Sequence, residues 1–122
     1  MRYMEIIITN TNVLSYWGAV KNKVWISDER FEHIQNHHPD DYDYYSRYIP
    51  QAIQSPFLIM ADYKNDRTAM FVGRTGHKGI NVIVKLARVE DIDGRSFVVT
   101  MHPVGKRSIQ KLKKHNVVIW EE

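Results

Sequence analysis

FLIMAD, TAMFVGR, INVIVKLARV and SFVVTMH follow one another between residues 57 and 102, separated only by YKNDR, TGHKG and EDIDGR. The four segments are rich in β-branched, aromatic and other apolar residues, and the separators are rich in Asp, Asn, Gly and Lys. That is the pattern of adjacent strands joined by turns. Consecutive strands with short connections return antiparallel, so a large part of this chain has little choice but to form a sheet.

The rest of the sequence supplies cover for it. Residues 3–9 (YMEIIIT) and 23–26 (KVWI) read as short strands. Ser27 then precedes DERFEHIQNHH, with Asp28 and Glu29 where a first helical turn favours negative charge, and Pro39 is expected to stop that helix. Tyr45, Tyr48, Ile49, Ala52 and Ile53 form one apolar helical face, which Pro50 should kink or start afresh. A last helix, KRSIQKLKKH, precedes the strand NVVIW. Two helices followed by a run of strands define an α+β fold, with N-terminal helices on one face of a twisted antiparallel sheet. Residues 1–122 contain no repeat, low-complexity run or linker and are read as one domain.

Composition narrows the chemistry. At 43% hydrophobic and 25% charged residues the chain reads as soluble and globular. It has no cysteine, which excludes disulfides, thiolate catalysis and cysteine-based zinc sites and suits a cytoplasmic location. No apolar stretch approaches a membrane span, and MRYMEIIITN is too short in its apolar run for a signal peptide. A toxin delivered within a longer polypeptide would read the same way. The net charge is +3. Residues 1–62 carry five Lys/Arg against eight Asp/Glu, and residues 63–122 carry twelve against six. The basic second half is the candidate for a polyanion partner, although a merely solvated face has the same signature.

Register sharpens the picture. If Ile80, Val82, Val84 and Leu86 share a face with Phe97, Val99 and Met101, paired residue numbers have an odd sum. The hairpin then needs an even-length turn around Asp91–Gly94. The opposite face carries Asn81, Ile83, Lys85 and Ala87 beside Val98, Thr100 and His102. Lys85 is then opposite or diagonal to Thr100 or His102. A simply solvated sheet face would carry such residues too, but a charge at mid-sheet usually has a partner or a task.

Three histidines lie in HIQNHHP, residues 33–39. Phe31, Ile34 and His38 share one helical face, and His33 and His37 another. His38, at the helix C-terminus, is placed where the dipole favours a protonated imidazole, though a histidine that only caps the helix would sit there too. The spacing of His33 and His37 can clamp a metal, but IQN supplies no glutamate and no third ligand is evident, so no metal site is expected.

HIQNHHP, a Tyr-rich helix reaching AIQSP, then INVIVK and FVVT together resemble the phage-associated branch of the barnase, EndoU, colicin and RelE-like nuclease superfamily. The likeness spans about residues 27–103. It implies a barnase/RelE-like fold and a metal-independent ribonuclease, often a toxin, that cuts transfer or messenger RNA without a cofactor. By position it implies His38, Lys85 and Thr100 as the site. His37 stands where the family has an arginine, so phosphate binding would fall to His37, Arg74 or another cation.

Residue chemistry is compatible with this. His38 suits a base or acid, Lys85 a stabiliser of the phosphorane charge, and Thr100 a hydrogen bond to phosphate, with His102 or His33 in reserve. Lys106, Arg107, Lys111, Lys113 and Lys114 form the tract that would contact RNA, although a helix whose lysines only hydrate its outer face reads the same way. Other expectations stay open: a non-catalytic RNA-binding or regulatory module, an immunity or antitoxin protein, or a toxin with a cognate antitoxin or immunity partner. No membrane partner is expected.

Overall fold

The turn at 62–67 shows how local chemistry sets the sheet. The Asp62 carboxylate accepts the Lys64 backbone N–H at 2.8 Å and the Asn65 amide at 3.0 Å, and Arg67 takes a left-handed φ of 49°. This reverses the chain between β3 (Leu58–Ala61) and β4 (Thr68–Gly73), which pair antiparallel. The computed structural model describes residues 3–37 and 42–122.

Seven strands form one mixed sheet in the order β1-β2-β6-β5-β4-β3-β7. The others are β1 (Tyr3–Ile7), β2 (Lys23–Ser27), β5 (Gly79–Lys85), β6 (Ser96–Val104) and β7 (Val117–Glu121). The expected all-antiparallel sheet is corrected at one seam: β2 runs parallel to β6, pairing Val24 with Ser96 and Trp25 with Phe97. That contact joins residues more than seventy positions apart, and no local pattern encodes it.

The inner face is closed by helices from the first half of the chain. Against Phe71, Val82, Val84, Val98 and Met101 pack Val13 of α1 (Thr11–Trp17), Ile34 of α2 (Asp28–His37), Tyr45 of α3 (Tyr42–Tyr45), and Ile49, Ala52 and Ile53 of α4 (Ile49–Gln54). The α1 helix was not foreseen. Asn10 caps it by accepting the Asn12 N–H at 2.9 Å, and Gly18, at φ 77°, ends it. Ser27 accepts the Arg30 N–H at the start of α2, as its position predicts. Pro50 lies in the first turn of α4, so the chain starts a fresh helix there. The fit of α4 on β4 is close: a Cβ on Gly73 would stand 2.7 Å from the Ala52 Cα.

The sequence predicts helices on one face only, but the outer face is partly covered too. α5 (Lys106–His115) covers its β3–β4 side, setting Ile109 and Leu112 on Leu58, Met60, Met70, Val72 and Val104. Helices therefore lie on both faces. Among the described residues, no helix is long and apolar enough to cross a membrane.

The β5–β6 register also needs correction. Ile80 to Ile83 pair with Pro103 to Thr100, an odd sum as expected, but Val84 pairs with Val98 and Lys85 with Phe97. Val99 is an extra residue, a β-bulge. Hence Val98 is buried, while Phe97 turns to the outer face, 40% exposed. The connection is no tight turn at Asp91–Gly94. Residues 86–95 fold back onto the chain before β2, where Arg88 bridges to Val20 and Lys21 donates its ammonium to the Asp91 and Gly94 carbonyls.

Candidate active site

Alternation decides which side chains reach the uncovered part of the outer face. Val84, Val98, Val24 and Ile6 point into the inner core, so their neighbours Lys85, Phe97, Trp25 and Glu5 point outward. The pairings then align a row across five strands: Glu5, Trp25, Phe97, Lys85 and Thr68. Thr100, opposite Ile83, lies on the same face and diagonal to Lys85. The structure thus places Lys85 and Thr100 as neighbours, about 7 to 8 Å apart in backbone terms.

Their side chains do not converge. Lys85 donates its ammonium to the Asp66 carbonyl in the β3–β4 turn, on the β4 side and away from β6. The Asp66 carboxylate beside it is held below the usual carboxylate range. The hydrogen bond from Arg67, at 3.2 Å, is the main cause; desolvation opposes it, and the charges of Arg67, Lys85 and Arg88 each lower the carboxyl further by less. The lysine is thus one of three cations around a single carboxylate.

The bulge that sets Thr100 is held from α2. With β6 paired to β2 only at Ser96 and Phe97, the Val99 carbonyl instead accepts the Arg30 guanidinium at 3.1 Å. This fixes the helix bearing HIQNH, residues 33–37, against the strand bearing Thr100. His33 is exposed on that helix, and His37 is its last residue. His38 and Pro39 lie outside the described residues.

The remaining predicted residues are spread more widely. His102 is exposed on β6 opposite Asn81, four residues along the ladder from Lys85 and therefore about 13 Å away. Arg74 follows β4 at the end opposite Lys85, about 20 Å from it. It stacks 4.7 Å over Phe57 and forms a two-pronged ion pair with Glu122 at 3.1 and 3.2 Å. With Lys106, His77 and Lys78 it lines a cleft of about 390 Å³. Arg74 does not complete a site with Lys85 and Thr100. Lys106, Arg107, Lys111 and Lys114 are exposed on α5, whereas Lys113 is bound to Glu121 at 2.7 Å.

Sequence reasoning missed the aromatic and cationic company of Lys85. Phe97 stands next to it in the row with Trp25 beyond, and the Arg95 guanidinium lies 4.1 Å from the Trp25 ring centre. The signal was the odd-numbered set Lys23, Trp25, Arg95 and Phe97, of which the assumed hairpin register turned Phe97 toward the core and left the parallel β2 partner out.

Cations and aromatic rings on the exposed part of a sheet suit a protein that handles nucleic acid. The family described as phage-Barnase-EndoU-ColicinE5/D-RelE like nuclease2 matches residues 7–121, and the chain belongs to this family of nucleases. No curated protein and no solved structure matches the chain.

Proposed function

We propose that this protein is a toxin-like endoribonuclease that cuts transfer or messenger RNA without a metal, using the ribose 2′-hydroxyl as its nucleophile. The observation that carries the reading is the family match over residues 7–121. The diagonal placement of Lys85 and Thr100 on the outer face supports it.

In this mechanism His38 accepts the 2′-OH proton as the 2′-oxygen attacks phosphorus. Lys85 releases the Asp66 carbonyl and stabilises the developing phosphorane charge, and Thr100 donates its hydroxyl to a phosphate oxygen. The bond from phosphorus to the 5′-oxygen breaks, and an acid, His102 or His33, supplies that oxygen with a proton. The products are a 2′,3′-cyclic phosphate and a 5′-hydroxyl. A cytoplasmic RNA target and a cognate antitoxin or immunity protein fit this reading.

Incubation with total transfer RNA and with single-stranded DNA in excess EDTA, followed by analysis of product ends, is the test. His38→Ala is expected to lower RNA cleavage by ~10²–10⁴-fold and Lys85→Ala by ~10²–10³-fold. Near-wild-type cleavage by a folded His38→Ala variant would remove His38 from the mechanism. The hold of Asp66 on Lys85 favours a second reading, a non-catalytic nucleic-acid-binding protein. It is distinguished by salt-sensitive binding without turnover.

A further inference from the structure

Residues 86–95 leave the sheet after β5 and lie over the start of β2. Hydrogen bonds of 2.8 Å from Lys21 N to the Ala87 carbonyl and from Val89 N to the Ala19 carbonyl fasten them there. Between this loop and β2 remains a cleft of about 400 Å³. Trp25, Val89 and Ile92 give it apolar walls, with Val89 57% and Ile92 93% exposed. Lys23 and Arg95 stand at its sides, and none of the described residues that line it is acidic. Lys23 shares its charge with Glu5 at 3.6 Å, while Arg95 lies over the Trp25 ring.

Apolar side chains gathered this openly do not serve the core, and a patch of them rimmed by cations marks a binding surface. The size of the cleft matches a small, flat ligand group. Its position ties it to the proposed chemistry. Trp25 pairs with Phe97 and Phe97 with Lys85, so the ring and the lysine are two strand spacings apart, about 10 Å.

We infer that this cleft, with the adjoining face of Phe97, is a stacking subsite for an unpaired base of the nucleic-acid strand whose phosphate meets Lys85. The inference rests on the nuclease reading above. An aromatic face and an arginine suit a base that is free of its pairing partner, and the cations suit the phosphates on either side of it. A duplex buries its base faces and could not use the cleft without opening.

The test is the affinity of the full chain, in EDTA, for a labelled 2′-O-methyl hexanucleotide and for the same backbone carrying base-free spacers at its central positions. The methylated strand lacks the 2′-hydroxyl that the proposed cleavage needs. The wild type is expected to favour the base-bearing strand. Phe97→Ala should weaken its binding roughly 5- to 150-fold, the range for loss of one stacked base, and leave the base-free strand unaffected. Ile92→Ala, at a side chain too exposed to matter for folding, should shift affinity the same way by less. Equal affinity for the two strands, unchanged binding by both variants, or preference for an acidic peptide of equal charge would overturn the subsite. Transfer RNA cleavage separates the two readings. A chain that cleaves but ignores bases keeps the nuclease and loses the subsite, whereas base-dependent binding without cleavage does the reverse.

Discussion

Lys85 reaches the outer face by alternation alone, but the direction its ammonium takes there is set by the Asp66 turn. Asp66 reports on that arrangement. Its carboxyl lies below the ordinary range, chiefly through the hydrogen bond from Arg67 and then through the charges of Arg67, Lys85 and Arg88. Arg67→Met is therefore expected to raise it more than Lys85→Met, and both should raise it, as followed by carbon NMR of the carboxyl group through a pH titration. An unmoved Asp66 in Lys85→Met would show that the ammonium does not rest at this turn. The sign of the pH effect follows. A carboxyl with a lowered folded-state value contributes stability that is fully present above its unfolded value of about 3.9 and is lost as pH falls through the folded value. The turn should therefore loosen only on the acid side.

Among the elements, β6 shows both what the sequence reveals and what it conceals. Strands β3 to β7, the helices α2, α4 and α5 and the fresh helix start at Pro50 are legible because period, turn residues and proline act locally. Lys85 and Thr100 share a face as expected, since the bulge falls between Val98 and Thr100 and leaves the ladder beyond it in the odd register. The bulge itself is hidden because Phe97, Val98 and Val99 are all apolar, so either register offers the core a suitable side chain. The cover given by α5 is hidden too, because five basic residues in ten outweigh the short stripe of Ile109 and Leu112. Removing Arg30 from the bulge tests its role. Arg30→Met leaves the Val99 carbonyl without its 3.1 Å donor and is expected to cost about 1–3 kcal/mol in urea unfolding. Unchanged stability would mean that water replaces the guanidinium without loss and that α2 is held to β6 by other contacts.

Across the whole molecule, charge and architecture divide along the same line. The acidic first half supplies the helices of the inner face, and the basic second half supplies Lys85, Arg95 and the exposed cations of α5. α5 is fastened over the β3–β4 side of the same outer face that bears Lys85 and Phe97. In the proposed reading, a strand bound on that face would set its phosphates against these cations. Counterion release turns this into a number: for single strands the slope of log affinity against log salt changes by about 0.7 for each phosphate neutralised. Lys111→Gln with Lys114→Gln is therefore expected to reduce the slope by about 1.4, measured by anisotropy with an uncleavable oligonucleotide over a range of salt. Lys113→Gln should change it less, because that ammonium is already bound to Glu121 at 2.7 Å. If the double variant keeps the wild-type slope, the α5 lysines only hydrate their helix and take no part in binding.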